Sequence, residues 1–187
     1  MRVVLMGPPG AGKGTQAVVL SERLGVPHVS TGDIFRANVA GGTPLGLEAK
    51  RYMDAGEYVP DSVTNEMVRD RLGQSDAEAG FLLDGYPRTV AQVDELADML
   101  AGHGVALDRV VELTVDRDEV VARLVKRAAE QGRSDDTEDV IRRRQEVYAE
   151  QTAPLTAVYE AQGLLVRVDG MGAVEDVTAR VLAALGV

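Results

Sequence analysis

Apolar and polar positions divide the chain into short buried runs alternating with longer stretches of helical spacing. Val3 to Met6 is an uninterrupted apolar run that breaks at Gly7-Pro8-Pro9-Gly10. Ala17, Leu20 and Leu24 then recur on one helical face until Gly25, giving strand, loop, helix. Further strands are predicted to end at Val29, at Phe81-Leu82-Leu83, within Val110 to Val115, and within Leu164 to Val168, with at least one helical stretch between successive runs. Strands alternating with helices predict an α/β fold: a five-stranded parallel sheet covered by helices. Ligands of such sheets bind beyond the carboxyl ends of the strands, which directs attention to the residues after Met6, Val29, Leu83, Val115 and Val168.

Two connections are unusual. Ser30 to Val59 is helical twice over, with Gly41-Gly42 as the break and Thr43-Pro44 as an N-cap followed by a first-turn proline. Between Lys126 and Asp139 the apolar stripe fades into Glu130-Gln131-Gly132-Arg133-Ser134-Asp135-Asp136, which predicts a mobile flap without a core of its own. A long helical pattern follows from Thr137 to Gln162, with Pro154 imposing a kink or break. No internal repeat or low-complexity segment interrupts this order.

Composition narrows the class. At 187 residues the chain has the size of one domain, and 20 basic against 30 acidic side chains leave a net charge of −10. Such a field repels nucleic acid and acidic membranes, so an anionic ligand must be met by local cations. The longest charge-free run, Ala37 to Leu47, is well short of the ~20 apolar residues of a membrane span. Val3 to Met6 is too short for a secretory segment. With no cysteine there is no disulfide and no thiolate zinc site. The expectation is a cytoplasmic protein.

Gly7-x-x-x-x-Gly12-Lys13, between a strand and a helix, has the form of a phosphate-binding loop. Its glycines let backbone N–H groups curl around a polyphosphate, the helix presents its positive end, and Lys13 adds a point charge. The hydroxyl that usually follows the lysine and holds Mg²⁺ is displaced by Gly14 to Thr15. Asp84, at the end of a strand, either holds magnesium through water or caps the Gly85-Tyr86-Pro87 turn.

Arginines stand at unexpected positions. Arg144 falls on the apolar stripe of Val140, Ile141 and Val147, whereas Arg142 and Arg143 point elsewhere. An inward guanidinium requires a structural carboxylate or a ligand anion. Arg123 and Arg127 share a helical face, paired either with Glu119 or Glu130 or with something anionic between them. Together with Arg36, Arg88, Arg133 and Arg144 they form a set suited to surround a phosphoryl group. His28 and His103 have no triad partners and read as structural or exposed.

Gly7 to Thr15, Ser30-Thr31-Gly32-Asp33, Asp84-Gly85-Tyr86-Pro87-Arg88, and Gly132 to Asp136 with Arg144 occur in an order that resembles the adenylate kinase family over essentially the whole chain. The resemblance implies a P-loop nucleotide-binding fold and reversible transfer of the ATP γ-phosphoryl group to AMP. It implies ATP contacts from Gly10, Ala11, Gly12, Lys13, Gly14, Thr15, Arg123, Arg127 and a backbone carbonyl near Gly172. It assigns AMP to Thr31, Arg36, the backbone of Glu57, Tyr58 and Val59, to Gly85, Tyr86, Pro87 and Arg88, and to Gln92. Arg133 and Arg144 would bridge both nucleotides, and Lys13, Arg88, Arg123, Arg133 and Arg144 would serve catalysis.

The same resemblance divides the chain into a core of residues 1–29, 60–125 and 140–187, an AMP-binding insertion at 30–59, and a short lid without zinc at 126–139. It implies Mg²⁺ as the cofactor accompanying ATP, and a monomer. Thr89 and Gln92 also form a capping box, so a Gln92 facing adenine could not cap the helix. Kinases for UMP or CMP, and a nucleotide-binding sensor, are the alternatives. A guanine-nucleotide switch lacks its Asn-Lys-x-Asp motif here.

Overall fold

The apolar runs fold as strands β1 (Arg2–Met6), β2 (His28–Ser30), β3 (Phe81–Asp84), β4 (Arg109–Thr114) and β5 (Leu165–Asp169). They form a parallel five-stranded sheet in the order β2-β3-β1-β4-β5. The computed structural model describes residues 1–116, 119–121, 123–124 and 137–187. Within these lie helices α1 (Lys13–Leu24), α2 (Thr31–Ala40), α3 (Pro44–Ala55), α4 (Asp61–Leu72), α5 (Val90–Gly102), α6 (Glu138–Val147), α7 (Leu155–Ala161) and α8 (Val174–Leu185). Strands β2, β3 and β5 run one residue past their apolar runs, and β4 stops one residue early. Backbone pairing decides the ends: Ser30 pairs with Asp84, and Thr114 with Asp169.

Side chains of a strand alternate between faces, and the two faces of β1 build two cores. Val3 and Leu5 join Leu82, Val111 and Leu113 beneath Ala17 and Leu20 of α1 and Val177 and Val181 of α8. Val4 and Met6 join Phe81, Leu83 and Val110 beneath Val93 and Leu96 of α5, Val68 of α4, and Leu155 and Tyr159 of α7. The central strands are buried on both faces, which explains why they read as continuous rather than alternating apolar runs. β1 lies between β3 and β4, so chain connections diverge on either side of its carboxyl end and open a crevice there.

Residues 30–59 contain α2 and α3, broken at Gly41-Gly42 as the pattern predicts. The Thr43 hydroxyl caps α3 by accepting from the Gly46 amide at 3.0 Å. Phe35, Ala49 and Val59 form a small cluster of their own. The two helices touch at Gly46, where a Cβ would lie 2.1 Å from the Asn38 carbonyl oxygen. Gly46→Ala must therefore wedge the pair apart, at a cost of about 3 kcal/mol. Thermal denaturation should show a melting point roughly 6–12 °C lower.

The helical pattern from Thr137 to Gln162 is interrupted. Helix α6 begins at Glu138, inside the interval expected for the lid, of which residues 126–136 lie outside the described residues. It gives way to a π turn at Tyr148–Thr152, in which the Ala153 amide bonds the Tyr148 carbonyl at 2.9 Å. Pro154 has no N–H to offer the ladder, and the chain absorbs the lost bond in this wider turn before α7 resumes. Among the described residues no helix is long and apolar enough to cross a membrane.

Candidate active site

The phosphate loop occupies the crevice at the end of β1. Gly7, Gly10 and Gly12 all have positive φ. At Gly7 a Cβ would meet the Leu113 carbonyl at 2.8 Å, and at Gly10 it would meet Leu124 at 2.9 Å, so the loop is pressed against β4 and the segment beyond it. Gly12 caps α1 in the left-handed conformation without any side-chain hydrogen bond, and the first turn carries no acidic residue. The opening amides of α1 are therefore not capped by a side chain, an arrangement that favours an anion. Lys13 donates from Nζ to the carbonyls of Gly7 at 2.6 Å and Pro8 at 3.1 Å, which holds its charge over the loop.

Asp84 ends β3 one strand away. Burial favours its neutral form, but His28 and the charges of Lys13 and Arg88 outweigh burial and hold its pKa below the ordinary carboxylate value. It is thus ionised at neutral pH. Among the described residues no amide of the Gly85-Tyr86-Pro87 turn bonds it, and a Cβ on Gly14 would lie 3.7 Å from Oδ2. The carboxylate faces the start of α1 rather than capping its own turn. His28 Nε2 lies 3.7 Å from Oδ2, beyond hydrogen-bonding distance, and is buried without a partner.

Beside the loop is a cleft whose wall includes Thr31, Arg36, Val59, Arg88, Gln92 and Arg144, with Glu57, Tyr58 and Gly85 along the same surface. Phe35 and Met53 add an apolar lining suited to a flat base. These two carry no chemical signal in the sequence beyond their place on helical stripes. Tyr86 and Pro87 sit behind the wall: both are buried, and the Tyr86 hydroxyl donates to Asn65 at 2.9 Å. Arg127 and Arg133 lie outside the described residues.

The carbonyl of Gly85 organises the cleft. It accepts from the Thr31 hydroxyl at 2.9 Å and from Arg88 Nε at 2.6 Å. Gly85 has φ +83°, and a Cβ there would come within 2.8 Å of Thr31 Oγ1 and 2.9 Å of an Arg88 terminal nitrogen. Gly85→Ala combines backbone strain of about 1–3 kcal/mol with displacement of both side chains. Titration of acceptor against rate should show its KM raised about tenfold, with the donor KM little changed.

Thr89 caps α5, but Gln92 does not complete the reciprocal box with its side chain. Its amide donates to the Thr89 hydroxyl at 3.2 Å, while its Oε1 accepts from the Arg88 amide at 2.7 Å and its Nε2 donates to Asp61 Oδ1 at 2.7 Å. Asp61, which the sequence did not single out, also accepts from the Thr89 hydroxyl at 2.9 Å. The carboxamide of Gln92 is thereby fixed at the cleft wall, with one N–H and one lone pair left uncommitted among the described residues.

Arg36 pairs with Asp33 at 2.6 Å. Arg144 reaches the cleft as its helical position predicts, while Arg143 turns away to Glu57 at 2.7 Å and Glu146 at 3.2 Å, and Arg142 to Glu138. On the donor side, Arg123 bonds Glu119 at 3.1 Å and the Gly170 carbonyl at 3.3 Å, beside Gly172 in the loop after β5. Buried Gln16 ties α1 to this region, donating to the Val174 carbonyl at 3.0 Å and accepting from Thr178 at 2.8 Å. Gln145 of α6 donates to Pro9 of the phosphate loop at 2.9 Å. No local pattern announces either glutamine.

A phosphate loop at the switch point of a parallel sheet, a carboxylate facing its helix, and an arginine-walled cleft alongside define a P-loop phosphotransferase with a small phosphorylated acceptor. The family model described as adenylate kinase matches residues 5–164. An adenylate kinase of Nocardioides sp. is 65% identical over 187 residues, covering 100% of this chain and 98% of that protein. One of Kocuria rhizophila is 66% identical over 184 residues, covering 98% of each. One of Nocardia farcinica is 59% identical over 186 residues, covering 100% of this chain and 99% of that protein. The chain belongs to the adenylate kinase family.

Proposed function

We propose that, in the transfer of the γ-phosphoryl group from ATP to AMP to give two ADP, the glycine loop and Lys13 hold the donor. The adjoining cleft of Thr31, Arg36, Arg88, Gln92 and Arg144 takes the acceptor. The observation that carries this reading is the adjacency of two anion-binding devices, Lys13 on its loop and the arginines of the cleft, at the end of the same sheet. The acceptor is a phosphate whose second pKa is about 6, already largely ionised at neutral pH, so no general base is required. The work of the site is to align two polyanions and to neutralise charge on the moving group. Arginines suit that work because their planar forks engage phosphate oxygens two at a time.

Magnesium bound with ATP would add positive charge at the phosphates. Asp84 fits it: this ion keeps most of its water and takes few carboxylates, and Asp84 is a single ionised carboxylate facing the loop. The exposed Thr15 hydroxyl, two residues beyond Lys13, is a second candidate oxygen. Residues 30–59 line the acceptor cleft, and their closure over both nucleotides, together with that of the lid expected at 126–139, would exclude water as a competing acceptor. The protein acts in this reading as a cytoplasmic monomer that needs no nucleic acid or membrane.

The test is direct. Protein mixed with ATP, Mg²⁺ and AMP should form ADP, with little formed when AMP is omitted. UMP and CMP in place of AMP should react poorly. ADP formation independent of any monophosphate would refute the reading.

A further inference from the structure

Arg88 is held from three directions. Its Nε donates to the Gly85 carbonyl at 2.6 Å. Its own carbonyl accepts from the Thr152 hydroxyl at 2.9 Å. Its guanidinium carbon lies over the ring of Tyr58, 4.9 Å from the centroid, within the range of a cation–π contact. These contacts are linked, because Tyr58 Oη and Thr152 Oγ1 share a hydrogen bond of 2.7 Å. Thr152 spends its proton on Arg88, so the tyrosine hydroxyl is the donor. Thr152 is 5% exposed and closes the π turn, where the extra residue per turn redirects side chains.

We propose that Tyr58 is a positioning residue for Arg88. Its ring supports one face of the guanidinium, and its hydroxyl, through Thr152, steadies the arginine's backbone. The two terminal nitrogens, which carry no hydrogen bond among the described residues, are thereby presented as a fork to the acceptor phosphate. Arginine loses much rotamer freedom when fixed, and a support built before the ligand arrives removes that loss from binding. Tyr58 itself is anchored through its neighbour, since Glu57 pairs with Arg143 of α6 at 2.7 Å. The α3–α4 connection therefore sets the posture of an arginine on the β3–α5 strap. This inference rests on the assignment of Arg88 to the acceptor phosphate.

A double-mutant cycle on the full chain, read by calorimetric titration of AMP and of ATP separately, tests it. Tyr58→Leu should weaken AMP about tenfold and leave ATP affinity unchanged, whereas Tyr58→Phe, which keeps the ring, should recover most of the loss. In the Arg88→Ala background, Tyr58→Leu should cost less than about twofold, because the group it supports is gone. Thermal melts verify that every variant is folded. An equal loss in both backgrounds, or no loss in Tyr58→Leu, overturns the role of Tyr58 alone. Unchanged AMP affinity in Arg88→Ala overturns the acceptor assignment, and this inference with it.

Discussion

Lys13→Met should lower turnover at least ~10²-fold in a protein that still folds, the scale on which one preorganised charge acts at a transition state. Methionine keeps the apolar stem of the lysine and removes the ammonium with its charge and donors. The Gly7 and Pro8 carbonyls, which lose a donor, are neutral. The buried Asp84 carboxylate loses one of the charges that favour its ionised form but keeps those of His28 and Arg88, and thermal melts verify that the variant is folded. If, as proposed, the cation follows the group in flight, the deficit falls on the transition state and kcat should drop more than donor affinity. Steady-state ADP formation with an AMP-free control gives the number. Near-normal turnover in folded Lys13→Met would remove the lysine from the mechanism.

Arg88→Ala should be of similar size but with a different signature. Loss of a two-pronged contact to a phosphate that changes charge during transfer predicts a fall of at least ~10²-fold in kcat/KM for AMP, equivalent to about 2.7 kcal/mol. The strap should survive. Gly85 loses the Arg88 Nε donor but keeps the Thr31 hydroxyl at 2.9 Å, and Thr152 still bonds the backbone carbonyl of residue 88. Arg88→Lys should rescue poorly, since an ammonium offers one point of charge and no planar fork to lie on Tyr58. Initial rates at varied AMP and saturating ATP separate the two parameters. An unchanged KM with unchanged kcat would exclude Arg88 from the acceptor site.

The strength of the sequence reading varied with the range of the interaction. Thr43 and Thr89 were legible as caps because a hydroxyl bonds an amide three residues away. Gln92 was legible as part of a capping box, but its partners were not: Arg88 supplies the amide and Asp61, 31 residues away, takes the side-chain N–H. Pro154 announced an interruption, and only the folded chain showed that it falls as a π turn before the proline. Helical phase separated Arg144 from Arg143, yet nothing local could pair Arg143 with Glu57, 86 positions earlier. Asp84 stood open between magnesium and turn cap. Only the position of α1 shows the carboxylate facing Gly14 and the charge of Lys13 rather than its own turn.

By itself, then, the sequence determined the parallel α/β order, the glycine loop with Lys13, the helical pair between β2 and α4, and the candidate phosphate cations. Each of these is written in spacing, in turn chemistry or in residue type, and needs only near neighbours to be expressed. The tertiary structure alone decided which cations share a wall, that Tyr86 and Pro87 stand behind it, and that Tyr58, Thr152, Asp61, Gln16 and Gln145 hold its parts in place. Those contacts join residues distant in the chain. They exist only once the sheet has gathered the loops at the carboxyl ends of its strands, a geometry that local periodicity cannot encode.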